Sequence, residues 1–217
     1  MQELSRIQPY RTVTLPSEVE MIEKRSRFIG RCWPVSTEAE ALAILERIRK
    51  DHWDATHNCY AYVLRSGTAR YSDDGEPSGT AGMPMMEGLT RIGVTDVLVI
   101  VTRYFGGILL GAGGLVRAYS KAACDAVRAA GIVRMLPCTA FSVEIPYPYW
   151  NSVRTLCEQH GRVDGISFAE AVRCTVWVEQ EKADAFCRAL TERTEGRIGA
   201  EAIGTDWFPF PESEDRT

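Results

Sequence analysis

The sequence has no long hydrophobic run. Its unbroken apolar stretches, Val97–Val101 among them, run to no more than six residues, far short of the roughly 20 a membrane-spanning helix needs. The opening residues, Met1-Gln2-Glu3-Leu4-Ser5-Arg6, lack the apolar segment of a secretory signal, so neither membrane insertion nor export is expected. Paired cysteine spacing is missing too. The seven cysteines, at 32, 59, 124, 138, 157, 174 and 187, contain no Cys-x-x-Cys and are odd in number, which predicts free thiols in a reducing, cytoplasmic setting. Strong charge of one sign is also absent: 25 basic against 29 acidic residues leave −4, divided as +2 over residues 1–136 and −6 over 137–217. Neither half is a strongly basic nucleic-acid module, although a local basic stripe remains compatible with these totals. No low-complexity tract or fixed repeat occurs.

What is present is an ordinary globular composition, 45% hydrophobic and 25% charged over 217 residues, with length for two domains. Pro137 and Pro146-Tyr147-Pro148 bracket a strand-like segment, so we place a boundary there, giving residues 1–136 and 137–217. In the first part, 12–15 and 18–35 read as strands. Thr37 with Glu40 forms a capping box opening a helix to about Lys50. A strand at 56–64, a polar loop at 72–82, a short helix at 85–92 and a doubly buried strand at 97–104 follow. After a glycine-rich turn comes a long helix, Leu115–Ala130, stopped by Gly131. The second part reads as strand 140–145, helix 150–160, strands 163–168 and 172–178, helix 181–191 and strand 198–207. That β-α-β-β-α-β order is the split βαβ pattern of a ferredoxin-like domain.

Two loops hold most of the candidate chemistry. The first, Tyr71 to Gly82, carries Asp73, Asp74, Glu76 and Ser78 among glycines. It lacks the EF-hand order, and we expect no metal there, reading it as a ligand or partner loop that His57 could reach by hydrogen bonding. The second, Arg103 to Arg117, joins a buried strand to a helix and contains Gly106, Gly107, Gly111, Gly113 and Gly114. Free amides at a helix start receive anions, and glycines admit a phosphate or RNA backbone closely. Arg103, Arg117 and Lys121 would supply charge and Tyr104 or Phe105 a stacking surface, with Arg128 continuing the basic stripe. No Gly-Lys-Ser/Thr follows, and the dinucleotide spacing is absent. Cys59 beside His57 lacks an orienting third group and reads as a buried small hydrophobe.

The segments Thr56-His57-Asn58-Cys59-Tyr60-Ala61-Tyr62, Ser72 to Gly82 and Val101-Thr102-Arg103-Tyr104-Phe105-Gly106-Gly107-Ile108-Leu109-Leu110-Gly111 together resemble the IMPACT family, in its bacterial YigZ-type branch. The resemblance implies an α/β (α+β) protein. Its N-terminal domain would adopt the two-layer fold of ribosomal protein S5 domain 2, and its C-terminal ferredoxin-like domain would look like one from elongation factor G. Eukaryotic members regulate translation by competing for an activator of a starvation-sensing kinase, so the resemblance implies a link to translation or RNA. It does not by itself select a function, because the S5-like fold hosts many. Some members carry a proline-dipeptidase label, but no metal-peptidase motif occurs here.

The leading expectation is a cytoplasmic, cofactor-free regulator or accessory factor, more binding protein than enzyme, whose partners are RNA or ribosomal and translation components. One alternative is an enzyme acting on a phosphorylated small molecule or nucleotide, with Asp73, Asp74 or Glu76 holding magnesium or serving as base. Another is a pure protein-interaction module.

Overall fold

A computed structural model describes residues 8–212. Tyr10–Arg134 and Met135–Phe210 fall into separate compact units. After a short strand β1 (Tyr10–Val13), the first unit builds a five-stranded sheet from β2 (Ser17–Glu23), β3 (Ser26–Pro34), β4 (His57–Val63), β5 (Ala69–Ser72) and β6 (Val97–Tyr104). The order is β2-β3-β6-β4-β5, and every neighbouring pair is antiparallel.

The apolar run of β6 is explained by its central place. Val97, Val99 and Val101 face α2 (Gly82–Ile92) and α3 (Ala112–Ala129), packing with Met85, Leu89, Tyr119 and Ala126. Leu98 and Ile100 face the other way, onto Leu45 and Ile48 of α1 (Glu38–Asp51). Side chains on a strand alternate faces, so both sides of this strand must be apolar. Each fully buried Val, Leu or Ile contributes about 1.5–3 kcal/mol. The mixed α/β class holds, with one addition: α1 covers the second face, so the two expected layers gain a third. It starts where the capping box predicts, with Thr37 Oγ1 accepting from the Glu40 amide at 3.2 Å.

The second unit follows the expected β-α-β-β-α-β order: β7 (Ile132–Ile145), α4 (Trp150–His160), β8 (Arg162–Phe168), β9 (Val172–Glu179), α5 (Ala183–Thr194) and β10 (Ala200–Pro211). Its strands run β10-β7-β9-β8, the interleaved order of a ferredoxin-like sheet. Val143, Val172, Val176 and Val178 meet Val153 and Leu156 of α4 and Phe186 and Leu190 of α5 in one core. Pro137 lies inside β7 rather than between elements. All seven cysteines are free, and five of them are buried. No helix among the described residues is long and apolar enough to cross a membrane.

Candidate functional site

The acidic loop is folded by its own carboxylates. Asp73 lies nine positions before the first residue of α2, yet its Oδ1 accepts from the Ala81 and Gly82 amides at 3.0 and 2.8 Å, and its Oδ2 from Gly79 at 2.8 Å. It caps α2 from a distance, and so the helix begins at Gly82, three residues before the sequence pattern shows it. Burial pushes the Asp73 carboxyl up, but the three amide hydrogen bonds outweigh it and hold the group below the usual range. Asp74 accepts from the Asn58 amide at 2.7 Å and from Arg49 at 2.8 Å. His57 Nδ1 donates to the Asp74 carbonyl at 2.8 Å, which turns Nε2 toward Glu76 Oε1 at 3.7 Å. Ser78 is exposed.

Glu76 is 7% exposed, and its Oε1 accepts from Arg103 Nη1 at 2.6 Å and from the Tyr119 hydroxyl at 2.7 Å. Arg103, 5% exposed, also donates to Ser26 Oγ at 3.2 Å, and its guanidinium carbon lies 5.5 Å from the Phe28 ring centre and 5.4 Å from that of Phe105. This corrects the expectation that Arg103 meets a phosphate. Residue 103 has the parity of Val99 and Val101, so its side chain enters the α2–α3 side of the sheet, where a guanidinium must be paired to be buried. Cys59, beside this cluster, has its thiol pushed up to about 12, chiefly by burial. That burial favours the thiol over the nucleophilic thiolate at neutral pH.

Tyr104 points to the opposite face, and this too corrects the sequence reading. Arg31 Nη2 lies 2.7 Å from His52 Nε2, and an arginine only donates, so the proton of the neutral His52 ring sits on Nδ1. That nitrogen donates to the Tyr104 hydroxyl at 2.8 Å, which donates to Asp54 at 3.2 Å. Burial, and then the Arg31 charge, hold the His52 pKa below its ordinary value. His52 and Arg31, with Trp33 and Arg47, border an open cleft of about 630 Å³. Tyr104 is therefore a strut of this network rather than a free stacking platform.

The glycine-rich turn is open by contrast. Phe105, Ile108 and Leu109 are exposed, Leu109 by 82%. Gly107 and Gly111 adopt positive φ of 79° and 73°, a region glycine enters without a steric penalty. At Gly106 a Cβ would overlap the Arg25 carbonyl. The β2–β3 hairpin tip, Lys24-Arg25, therefore seats directly on the turn, and Ser26 Oγ accepts the Gly106 amide at 3.3 Å. At the far end the first turn of α3 has no side-chain cap. Gly114 and Leu115 donate back to the Gly111 carbonyl, and the Arg117 guanidinium lies 3.6 Å from where a Cβ on Gly113 would sit. Arg117, Lys121 and Arg128 line an open groove of about 500 Å³ along α3. Lys121 and Arg128 share one carboxylate, Asp125, at 2.5 and 3.2 Å. The residue that meets the start of the turn is thus Arg25, whose backbone carbonyl lies against Gly106 and whose side chain is exposed.

Residues 24–127 match the Impact N-terminal domain, and residues 143–197 match a domain of unknown function, DUF1949. The chain is 40% identical to the IMPACT family member YvyE of Bacillus subtilis, covering 87% of this chain and 88% of that one. It is 34% identical to the IMPACT family member YigZ of Escherichia coli, covering 90% and 96%. A solved structure described as a hypothetical protein superposes with a TM-score of 0.58 at 32% identity, over 91% of this chain and 98% of its own.

Proposed function

Because the chain belongs to the IMPACT family, we propose that it is a regulatory or accessory factor that binds an RNA component of the translation machinery through the glycine-rich turn and the exposed face of α3. The observation that carries this reading is the groove along α3, where Arg117, Lys121 and Arg128 face solvent against the single carboxylate of Asp125. It lies along a helix whose first amides no side chain caps. Exposed cations attract phosphates and release counterions, which gives salt-dependent binding. The enzyme reading needs free carboxylates, and here Asp73 is taken up by three amides, Asp74 by Arg49 and Asn58, and Glu76 by Arg103 and Tyr119.

The test is binding to ribosomal particles and purified RNA across about 50–200 mM salt, comparing the wild type with Arg117→Ala/Lys121→Ala/Arg128→Ala. Wild-type affinity is expected to fall steeply with salt, and the triple variant to bind weakly with a flatter slope. Absence of salt-sensitive binding by the wild type refutes the reading. Ribosomal binding that survives nuclease treatment and ignores the triple variant assigns the surface to a protein partner instead.

A further inference from the structure

The β2–β3 hairpin closes on two residues, with Glu23 paired to Ser26 across the turn and both Lys24 and Arg25 at positive φ, 45° and 66°. A two-residue turn of that hand is the natural place for Asn-Gly, because a Cβ makes the left-handed region costly. Here two long cationic side chains occupy it, both exposed and without an ion pair among the described residues. The turn is held from beneath: the Arg25 carbonyl rests where only a glycine at 106 leaves room, and Ser26 Oγ takes both the Gly106 amide and Arg103 Nη2. Arg103 is in turn fixed by Glu76. A buried ion-pair network therefore braces a strained tip whose only outward features are two positive charges.

The backbone of the tip meets the glycine-rich turn at Gly106 and the Arg117 guanidinium lies by Gly113 at its other end, with Phe105, Ile108 and Leu109 exposed between. We infer that Lys24 and Arg25 are phosphate-binding residues of a site for single-stranded RNA, with the tip and Arg117 holding the backbone and the turn's apolar side chains meeting unpaired bases. This rests on the RNA reading above. It selects a single strand because exposed aromatic and aliphatic groups gain contact only where base faces are free, whereas a duplex hides them. Strain tolerated at one fixed point is explained when the residues imposing it have a task there.

The experiment replaces the tip by Lys24→Asn/Arg25→Gly in the full chain. Asparagine and glycine suit the turn, so the melting temperature should rise or hold while two phosphate contacts vanish. Fluorescence anisotropy with a labelled oligouridine and a duplex of equal length then reads affinity against salt. The wild type should prefer the single strand. The variant should bind it about tenfold more weakly, with a salt slope flatter by roughly 1.4 for two lost single-strand contacts. Lys24→Arg/Arg25→Lys should keep wild-type affinity. If the Asn-Gly variant binds as the wild type does while the α3 triple variant is impaired, the tip assignment is wrong and the RNA reading stands. Preference for the duplex overturns the single-strand assignment, and a wild type that binds no RNA overturns both.

Discussion

The two glycine-bearing loops of the N-terminal unit carry similar signals in the sequence and do opposite things in the structure. Both are punctuated by glycines and adjacent to a helix start. The loop at 72–82 turns its charges inward, spending Asp73 on a helix cap, Asp74 on a strand amide and Glu76 on a buried arginine. The turn at 104–114 leaves its helix start uncapped and its apolar side chains in solvent. One loop is a brace and the other a surface. The difference lies in where the countercharges are: Arg103 and the α2 amides stand opposite the first loop, and nothing anionic among the described residues answers the cations around the second except Asp125.

The comparison breaks most severely at Glu76. Glu76→Gln should destabilise the protein by about 3–5 kcal/mol, because Arg103 keeps its charge in a nearly dry site without its anion. Denaturant unfolding measures this, and a loss below about 1 kcal/mol would show that water reaches the pair. The substitution should also weaken RNA binding, since Arg103 and Ser26 support the hairpin tip. Asp73→Ala comes next, at about 1–2 kcal/mol, through three unsatisfied amides at the start of α2. Its signature is local: faster hydrogen exchange at Gly79, Ala81 and Gly82, with α3 left protected.

Much of this fold was legible from pattern. The heptad-like spacing of Ala41, Ile44, Leu45 and Ile48, the consecutive apolar residues of β6 and the alternation of β9 each report burial directly, because one side chain's environment follows from its place in a regular element. The site was less legible, for reasons visible at single residues. Arg103 looks like a surface cation because its countercharge, Glu76, is 27 positions away. The cap of α2 was missed because Asp73 sits far outside the local capping window. Lys24-Arg25 violates the usual chemistry of a two-residue hairpin, so no turn signal marked it. The short edge strand β5 escaped because its burial is slight and offers no hydrophobic period. The residues missed are those whose roles depend on contacts across the fold.

The opposite face of the sheet sharpens the comparison through pH. The folded-state pKa of His52 is depressed by burial and by Arg31, so the neutral ring contributes stability above the ordinary histidine value near 6.5. That contribution is lost as pH falls below 6.5 toward the depressed value, when a second proton must face the Arg31 guanidinium. Thermal unfolding between pH 7.5 and pH ~5 should show a modest loss of stability that His52→Gln lacks. A His52→Gln variant with an unchanged pH profile would place the titration elsewhere.

The smallest stability effect belongs to the open turn, and it is the most discriminating. Leu109→Ala and Arg117→Ala remove side chains that solvent already surrounds, so each should shift unfolding by no more than about 0.5 kcal/mol. A loop that serves only to connect β6 to α3 would show the same silence in every other measurement. If the turn is a contact surface, both variants must instead separate stability from binding: Arg117→Ala should flatten the salt dependence of RNA affinity, whereas Leu109→Ala should lower affinity equally at every salt concentration, because an apolar contact releases no counterions.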